Sequence, residues 1–363
     1  MPESSGKLLD RIEFLQILTV LRLRDFRVFW LGMVVQVLGQ SMMFFTLGWL
    51  AYDLTGSPLS LGYISLFQAL PTIAFTMAGG VAADRWDQRR LIFVTQILGA
   101  VTLAGVGVLS VTGNVELWHL MVVALFMGAI QSLESPSRVS LFPLLLPDRS
   151  HMRNAVAIFS LVWQLNSVLA PAVAGFVIAY SGAGQSFLLS AIFFSVMAVV
   201  VRSIRLVQES PSAGKPADNP AKALAEGARY CWSDHTMRVL LGLSFFTGIF
   251  AFSYMSLLPI FAKDILLVDA RGLGFLGSAA GVGSVFGVVI TPWLSRRFHV
   301  GRLIILEIVL MSLLLLGFSF SRWYYLSLGI MPFLGMVAFS NVTLLATAMQ
   351  MIVPDALRGR VMG

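Results

Sequence analysis

Amide side chains interrupt stretches of this chain that are otherwise apolar for about twenty residues at a time. Met33, Gln36, Gln40 and Met43 recur at helical spacing, as do Ser160, Gln164, Ser167 and Pro171. Gln68, Gln131, Asn166, Tyr254 and Asn341 are further polar groups inside apolar runs. Hydrocarbon offers a polar group no hydrogen-bond partner, so such residues turn towards protein. They then have two uses. They bond helix to helix, or, with the methionines, they line a cavity for a large, partly apolar solute. Gln40 falls twelve residues into its run. That is about 18 Å along a helix, near the middle of a hydrocarbon core about 30 Å thick. Carboxylates are scarcer: of the 18 Asp and Glu, only Asp53, Glu134 and Glu307 lie within spans or at their ends.

Other chemistries find little support. Gly281-Val282-Gly283-Ser284-Val285-Phe286-Gly287 has the look of a phosphate loop, but it sits mid-run. Gly277 and Gly281, and Gly283 and Gly287, are each four apart, which is a helix-packing face. The histidines, at 119, 151, 235 and 299, lack metal-ligand spacing. No Lys-bearing phosphate loop occurs, and no Ser or Cys nucleophile has a base nearby in sequence. No enzyme, cofactor or metal is therefore expected. Cys231 is the sole cysteine, so an intramolecular disulfide is impossible.

The elements that must position these groups follow from composition. The chain is 57% hydrophobic and 12% charged, with mean hydropathy +0.84. A soluble domain carries about 25% charged residues. An all-α protein crossing a membrane many times is expected. Spans are read at 28–52, 59–83, 91–112, 154–180, 185–201, 239–262, 272–294, 303–320 and 323–353. A further one, fourth in order, starts at Leu117 and fades at Glu134-Ser135-Pro136. Arg138 to Met152 reads as a cytoplasmic helix and turn. The last span is long enough for its end to emerge from the bilayer. Residues 1–27 form an amphipathic lead-in without the long apolar core of a signal peptide, closed by Arg22, Arg24 and Arg27. The polar, Pro-rich stretch at 209–220 is a linker, followed by a short surface helix. Four segments result: 1–27, a six-helix half at 28–205, the linker region 206–238, and a four-helix half at 239–363.

Charge sets the orientation. With the N-terminus in the cytoplasm, only Lys263, Arg271 and Arg322 of the 25 Lys and Arg fall in outer loops. The net charge of +7 thus reflects inner loops, and no nucleic-acid partner is expected. A lipid bilayer and a small molecule are the expected partners, with a monomer as the default state. Two landmarks recur in the same order. Arg90-Leu91-Ile92 opens the third span and Arg302-Leu303-Ile304 the ninth. Leu146-Pro147-Asp148-Arg149 follows the fourth, and Val353-Pro354-Asp355 the tenth. A duplicated half-chain explains both.

Between the second and third spans stands Gly80-x-x-x-Asp84-Arg85-x-x-x-Arg89-Arg90. This resembles the signature loop of the major facilitator superfamily. Asn166-Ser167-x-x-Ala170-Pro171-x-x-Ala174-Gly175 is similar to that family's antiporter motif, with alanines replacing two glycines. Arg24-Asp25-Phe26-Arg27 and Pro354-Asp355-x-x-Arg358-Gly359-Arg360-Val361 extend the likeness. They point to the exporter branch that holds enterobactin exporters and macrolide efflux pumps. The resemblance implies two pseudo-symmetric halves of a twelve-helix bundle. Ten helices are present, with the eleventh and twelfth expected to be lacking. It implies a solute site near the midplane between the halves, and alternating access. Gly80, Asp84, Arg85, Arg89 and Arg90 would form a cytoplasmic latch to the eleventh helix, with Asp87 and Gln88 departing from the pattern. It also implies proton coupling, for which Glu134, Glu307 and Asp53 are the candidates. The expected function is secondary active efflux of drug-like or siderophore-like molecules. The rival is a non-transporting membrane sensor, interaction protein or inactive fragment on the same scaffold.

Overall fold

The computed structural model describes residues 19–85, 87–147, 151–204 and 229–354, with the side chains of 19, 76–85, 153 and 251 outside that description. Among the described residues there is no strand, and ten helices are long and apolar enough to cross a membrane. In the first half these are α1 (Arg24–Thr55), α2 (Pro58–Arg85), α3 (Gln88–Val111), α4 (Leu117–Leu141), α5 (Met152–Ser181) and α6 (Ala183–Ser203). They are followed by α7 (His235–Ile265), α8 (Ala270–Arg297), α9 (Val300–Phe320) and α10 (Tyr324–Ile352). Within α7, Thr247–Ala251 and Phe261–Ile265 are π-helical turns.

Helix ends obey local chemistry. Gly56 closes α1 with φ at 61° and sends its N–H to the Tyr52 carbonyl. Asp87 caps α3, accepting from the N–H groups of Arg89 and Arg90 at 2.9 and 3.2 Å. Asp269 caps α8 in the same way through Arg271 and Gly272.

Three boundaries differ from the reading of charges as stop signals. Arg24 and Arg27 lie in the first turn of α1 rather than before it. The seventh span starts at His235, where Asp234 caps it. The largest difference is α4, which does not fade at Pro136 but runs on to Leu141 and a 3-10 turn at Phe142–Leu145. Proline removes a single N–H, which a packed helix tolerates, and the Ser137 hydroxyl stitches the next turn by donating to the Leu133 carbonyl at 2.8 Å. Arg138 is therefore a buried residue in the last turn of the same helix as Glu134, not of a separate helix. The lead-in before Thr19, most of the linker region and the closing motif beyond Pro354 lie outside the described residues.

The chain divides into two compact units, Met1–Ser212 and Ala213–Gly363. In the first, α1 is the hub. Phe26, Phe29, Met33 and Val37 pack with Ile158 and Val162 of α5 and Met197 and Val201 of α6. The Trp30 indole donates to the Ile158 carbonyl at 3.0 Å. The second and fourth helices of each unit cross closely through glycine. A Cβ on Gly128 of α4 would lie 2.3 Å from the Gln68 carbonyl oxygen of α2. In the second unit, a Cβ on Gly283 of α8 would lie 1.7 Å from the Pro332 oxygen of α10, and one on Gly287 2.3 Å from the Met336 oxygen. The glycine-rich stretch is thus a helix crossing, as its spacing predicts. The repeat of this crossing in both units is what a duplicated half-chain requires.

Candidate functional site

The first unit holds a buried polar cluster drawn from three helices. Glu134 and Arg138 stand one turn apart on α4, so their side chains meet as an ion pair. Arg138 Nη2 donates to Glu134 Oε1 and, at 2.5 Å, to Gln36 Oε1 of α1. Gln96 Nε2 of α3 also donates to Glu134 Oε1. Gln36 in turn reaches Gln40 Oε1 at 3.5 Å. Gln36 and Gln96 are fully buried, and Glu134 and Arg138 are 4% and 5% exposed. Charges so far from water persist only when paired and hydrogen-bonded. Beside the pair opens a cavity of about 100 Å³, lined by Gln40, Gln131, Ser135, Phe159 and Trp163.

Two polar atoms in this cluster are buried without a partner, Arg138 Nε and Gln96 Oε1. The second has a chemical consequence. An ionised Glu134 takes hydrogen bonds from the Gln96 amide nitrogen, whereas a protonated one must give a hydrogen bond away. The same amide carries an acceptor for that bond.

The second unit holds a counterpart around Glu307 of α9, which is 6% exposed. Ser340 of α10 donates to Glu307 Oε1 at 2.5 Å, and Thr291 of α8 lies 2.7 Å from the Ser340 hydroxyl. Glu307 Oε2 and both amide atoms of Asn341 are buried and make no bond of ordinary hydrogen-bond geometry, although the Asn341 amide stands beside the carboxylate. Asn341 lines a cavity of about 230 Å³ among Leu243, Phe246, Phe250, Ile308 and Met311. Here too the carboxylate adjoins groups that can give or accept a hydrogen bond, the Ser340 hydroxyl and the Asn341 amide.

The family model described as transmembrane secretion effector matches residues 16–363. The chain belongs to this family, within the major facilitator superfamily. Among curated relatives, the multidrug efflux pump Tap of Mycolicibacterium fortuitum is 22% identical over 332 residues, covering 90% of this chain and 80% of that protein. The enterobactin exporter EntS of Shigella boydii serotype 4 is 25% identical over 337 residues, covering 92% and 76%. Among solved structures, the nucleoside transporter NupG superposes with TM-score 0.71 at 14% identity, over 93% of this chain and 85% of that one. A bacterial homologue of the iron transporter ferroportin gives TM-score 0.65 at 18% identity, over 93% and 86%. The protein is a multi-pass membrane transporter and not an enzyme.

In this transporter the sequence candidates scatter over several roles. Gln36, Gln40, Gln131 and Glu134 come together at the first cluster. Asn166 is committed elsewhere: its amide donates to Val162 O at 2.9 Å and Val34 O at 3.3 Å, tying α5 to α1. Gln68 and Gln164 are half-buried outside the cluster. Tyr254 is buried in the second unit, its hydroxyl without a partner. Asp53 is exposed near the end of α1, outside the Glu134 cluster. In the antiporter-like motif, Ala170 and Ala174 are fully buried against Met42 of α1, Gly175 is buried, and Pro171 sits within α5. The motif is a packing face between α5 and α1.

The signature loop splits in two. Gly80, Asp84 and Arg85 end α2, and their side chains lie outside the described residues. Arg89 is bound within its own unit, with Nε donating to Val201 O at 2.7 Å and Nη2 to Arg202 O. It thereby satisfies carbonyls at the end of α6, where a cation is favoured. Arg90 is exposed. Arg138 and Gln96 were not foreseen as site residues. The spacing Glu134-x-x-x-Arg138 is the signal for Arg138, a carboxylate with its own counter-ion one turn on. Gln96 has no comparable signal.

Proposed function

We propose that this transporter is a proton-coupled exporter of drug-like or siderophore-like small molecules. It works by alternating access in the plasma (inner) membrane, as a monomer with its N-terminus in the cytoplasm. Residues 28–205 and 239–363 are its two halves, joined through 206–238. One observation carries the coupling. Each buried carboxylate adjoins a partner able to serve both its ionised and its protonated form: Gln96 for Glu134, Ser340 and Asn341 for Glu307. Efflux of such solutes is supported by the named activities of Tap and EntS. The cytoplasmic N-terminus is supported by the placement of Lys and Arg.

The test is transport in proteoliposomes under an imposed pH gradient, screened against a panel of drugs and siderophores. Solute movement is expected to follow the gradient and to stop following it in the Glu134→Gln, Glu307→Gln double variant. A double variant that still follows the gradient removes both carboxylates from coupling. A wild-type protein that moves no solute of either class removes the substrate assignment.

A further inference from the structure

A pocket of about 340 Å³ lies where α3 begins and α6 ends, lined by Asp87, Arg89, Arg90, Phe93, Val201 and Arg202. Three guanidiniums therefore stand against one carboxylate. Asp87 is already engaged, because it caps α3 by accepting from the N–H groups of Arg89 and Arg90. Arg89 is engaged too, donating to the carbonyls of Val201 and Arg202. Those bonds pin the end of α6 to the start of α3 and fix the walls of the pocket before any ligand arrives. Arg90 and Arg202 are exposed, and neither pairs with a carboxylate among the described residues. Next to these two arginines the surface turns apolar. Along α3 from Arg90, Val94, Leu98 and Val101 are exposed at helical spacing, whereas Thr95 and Gln96 are buried on the other side. Back along α6 from Arg202, Val199, Val196 and Ile192 are exposed likewise. The two helices pack directly: a Cβ on Gly99 would lie 2.7 Å from the Phe194 ring, and one on Gly184 3.0 Å from the Gly107 carbonyl oxygen. Exposed aliphatic stripes on spanning helices meet acyl chains.

We propose that this pocket binds one anionic phospholipid, with its phosphodiester between Arg90 and Arg202 and its acyl chains on the stripes of α3 and α6. A guanidinium presents paired N–H donors that match phosphate oxygens, and basic pockets between spanning helices suit anionic headgroups. A zwitterionic lipid brings an ammonium into a pocket of net positive charge and gains less. A free phosphate meets the same guanidiniums but leaves the stripes unused. A lipid held in this way bridges α3 and α6, the pair that Arg89 already ties, and so stabilises the first unit. The inference needs only that the chain spans a membrane; neither the solute nor the coupling ion enters it.

The experiment uses the purified full chain in a non-ionic detergent, with bound lipid counted by native mass spectrometry across a titration. Phosphatidylglycerol and phosphatidylcholine of identical acyl chains share their tails and differ in net charge, and glycerol phosphate carries the anionic head without a tail. The wild type is expected to hold one phosphatidylglycerol about tenfold or more tighter than phosphatidylcholine. An excess of glycerol phosphate is expected not to displace it. Each arginine near an anionic headgroup is worth a factor of about five, so Arg90→Gln, Arg202→Gln should weaken phosphatidylglycerol about 25-fold and leave phosphatidylcholine nearly unchanged. Arg296→Gln, Arg297→Gln removes the same charge from the end of α8 and is expected to leave phosphatidylglycerol binding nearly unchanged. Equal weakening in the two double variants makes the effect one of overall charge and overturns the site. Displacement by glycerol phosphate overturns the lipid as occupant. Equal affinity for the two lipids, or no saturable phosphatidylglycerol binding to the wild type, overturns the proposal outright. If the glutamine pair loses both lipids, Arg90→Lys, Arg202→Lys decides: it keeps the charge and is expected to keep the preference, and loss of the preference there refutes the assignment.

Discussion

Gly283→Ala is the sharpest test of how the second unit is held together. The added Cβ would sit 1.7 Å from the Pro332 carbonyl oxygen, and the reciprocal contact from Gly335 to the Ala280 oxygen is 1.9 Å. Both obstacles are backbone, so no side chain can swing aside. To restore even a 3.0 Å approach, α8 and α10 must part by about 1.3 Å, in a close-packed interior that relaxes only partly. Overpacking of this kind costs about 1–3 kcal/mol, and contact with backbone puts the cost at the upper end. Alanine returns about 0.5–1 kcal/mol over glycine within a helix. A net loss of about 2 kcal/mol follows, equivalent to about 4–8 °C for a unit of this size. The assay is thermal stability of the purified protein in detergent. Gly317→Ala on α9 is the control, since a Cβ there meets nothing within 4 Å, and a gain of about 0.5 kcal/mol is expected from it. The same separation pulls Ser340 on α10 from Thr291 on α8, 2.7 Å apart in the native crossing. Gly283→Ala should therefore also impair coupling through Glu307. If Gly283→Ala is as stable as Gly317→Ala, the close crossing is wrong, and with it the placement of Glu307's partners.

Other expectations are as direct. Arg138→Met leaves Glu134 buried without its counter-ion, which should cost about 3–5 kcal/mol. The Glu134→Leu, Arg138→Met double variant should regain most of that stability in the same thermal assay yet no longer follow a pH gradient in proteoliposomes. Asp87→Ala removes the cap of α3 and should cost about 1 kcal/mol, with Asp87→Asn largely neutral. At Asp269, burial pushes the carboxyl up, but bonds from the Gly272 N–H and from Arg271 outweigh it and hold it below the usual carboxylate range. A lowered folded value means the contribution is present above the unfolded pKa and lost as pH falls through the folded one. The stability gap between wild type and Asp269→Asn should therefore be constant above about pH 5 and close in stronger acid.

Read residue by residue, the chain already declared its spans, their number and the absence of enzyme chemistry. A stretch long and apolar enough to cross lipid must satisfy its own backbone, and only a helix does so. The glycine crossing of α8 with α10 was legible for a related reason: small residues four apart mark one helix face without naming the partner. Partners were what tertiary structure decided. Asn166 and Gln36 look alike as amides in apolar runs, yet one bonds α5 to α1 and the other holds a buried guanidinium. Arg138 was set apart from the helix of Glu134 because a charge close after a proline reads as the end of that helix. Only the convergence of α1, α3 and α4 shows that Glu134, Gln36 and Gln96 neutralise and bond it there. A side chain's cost in hydrocarbon depends on what stands opposite it, and that is set by which helices cross, not by the order of residues along any one of them.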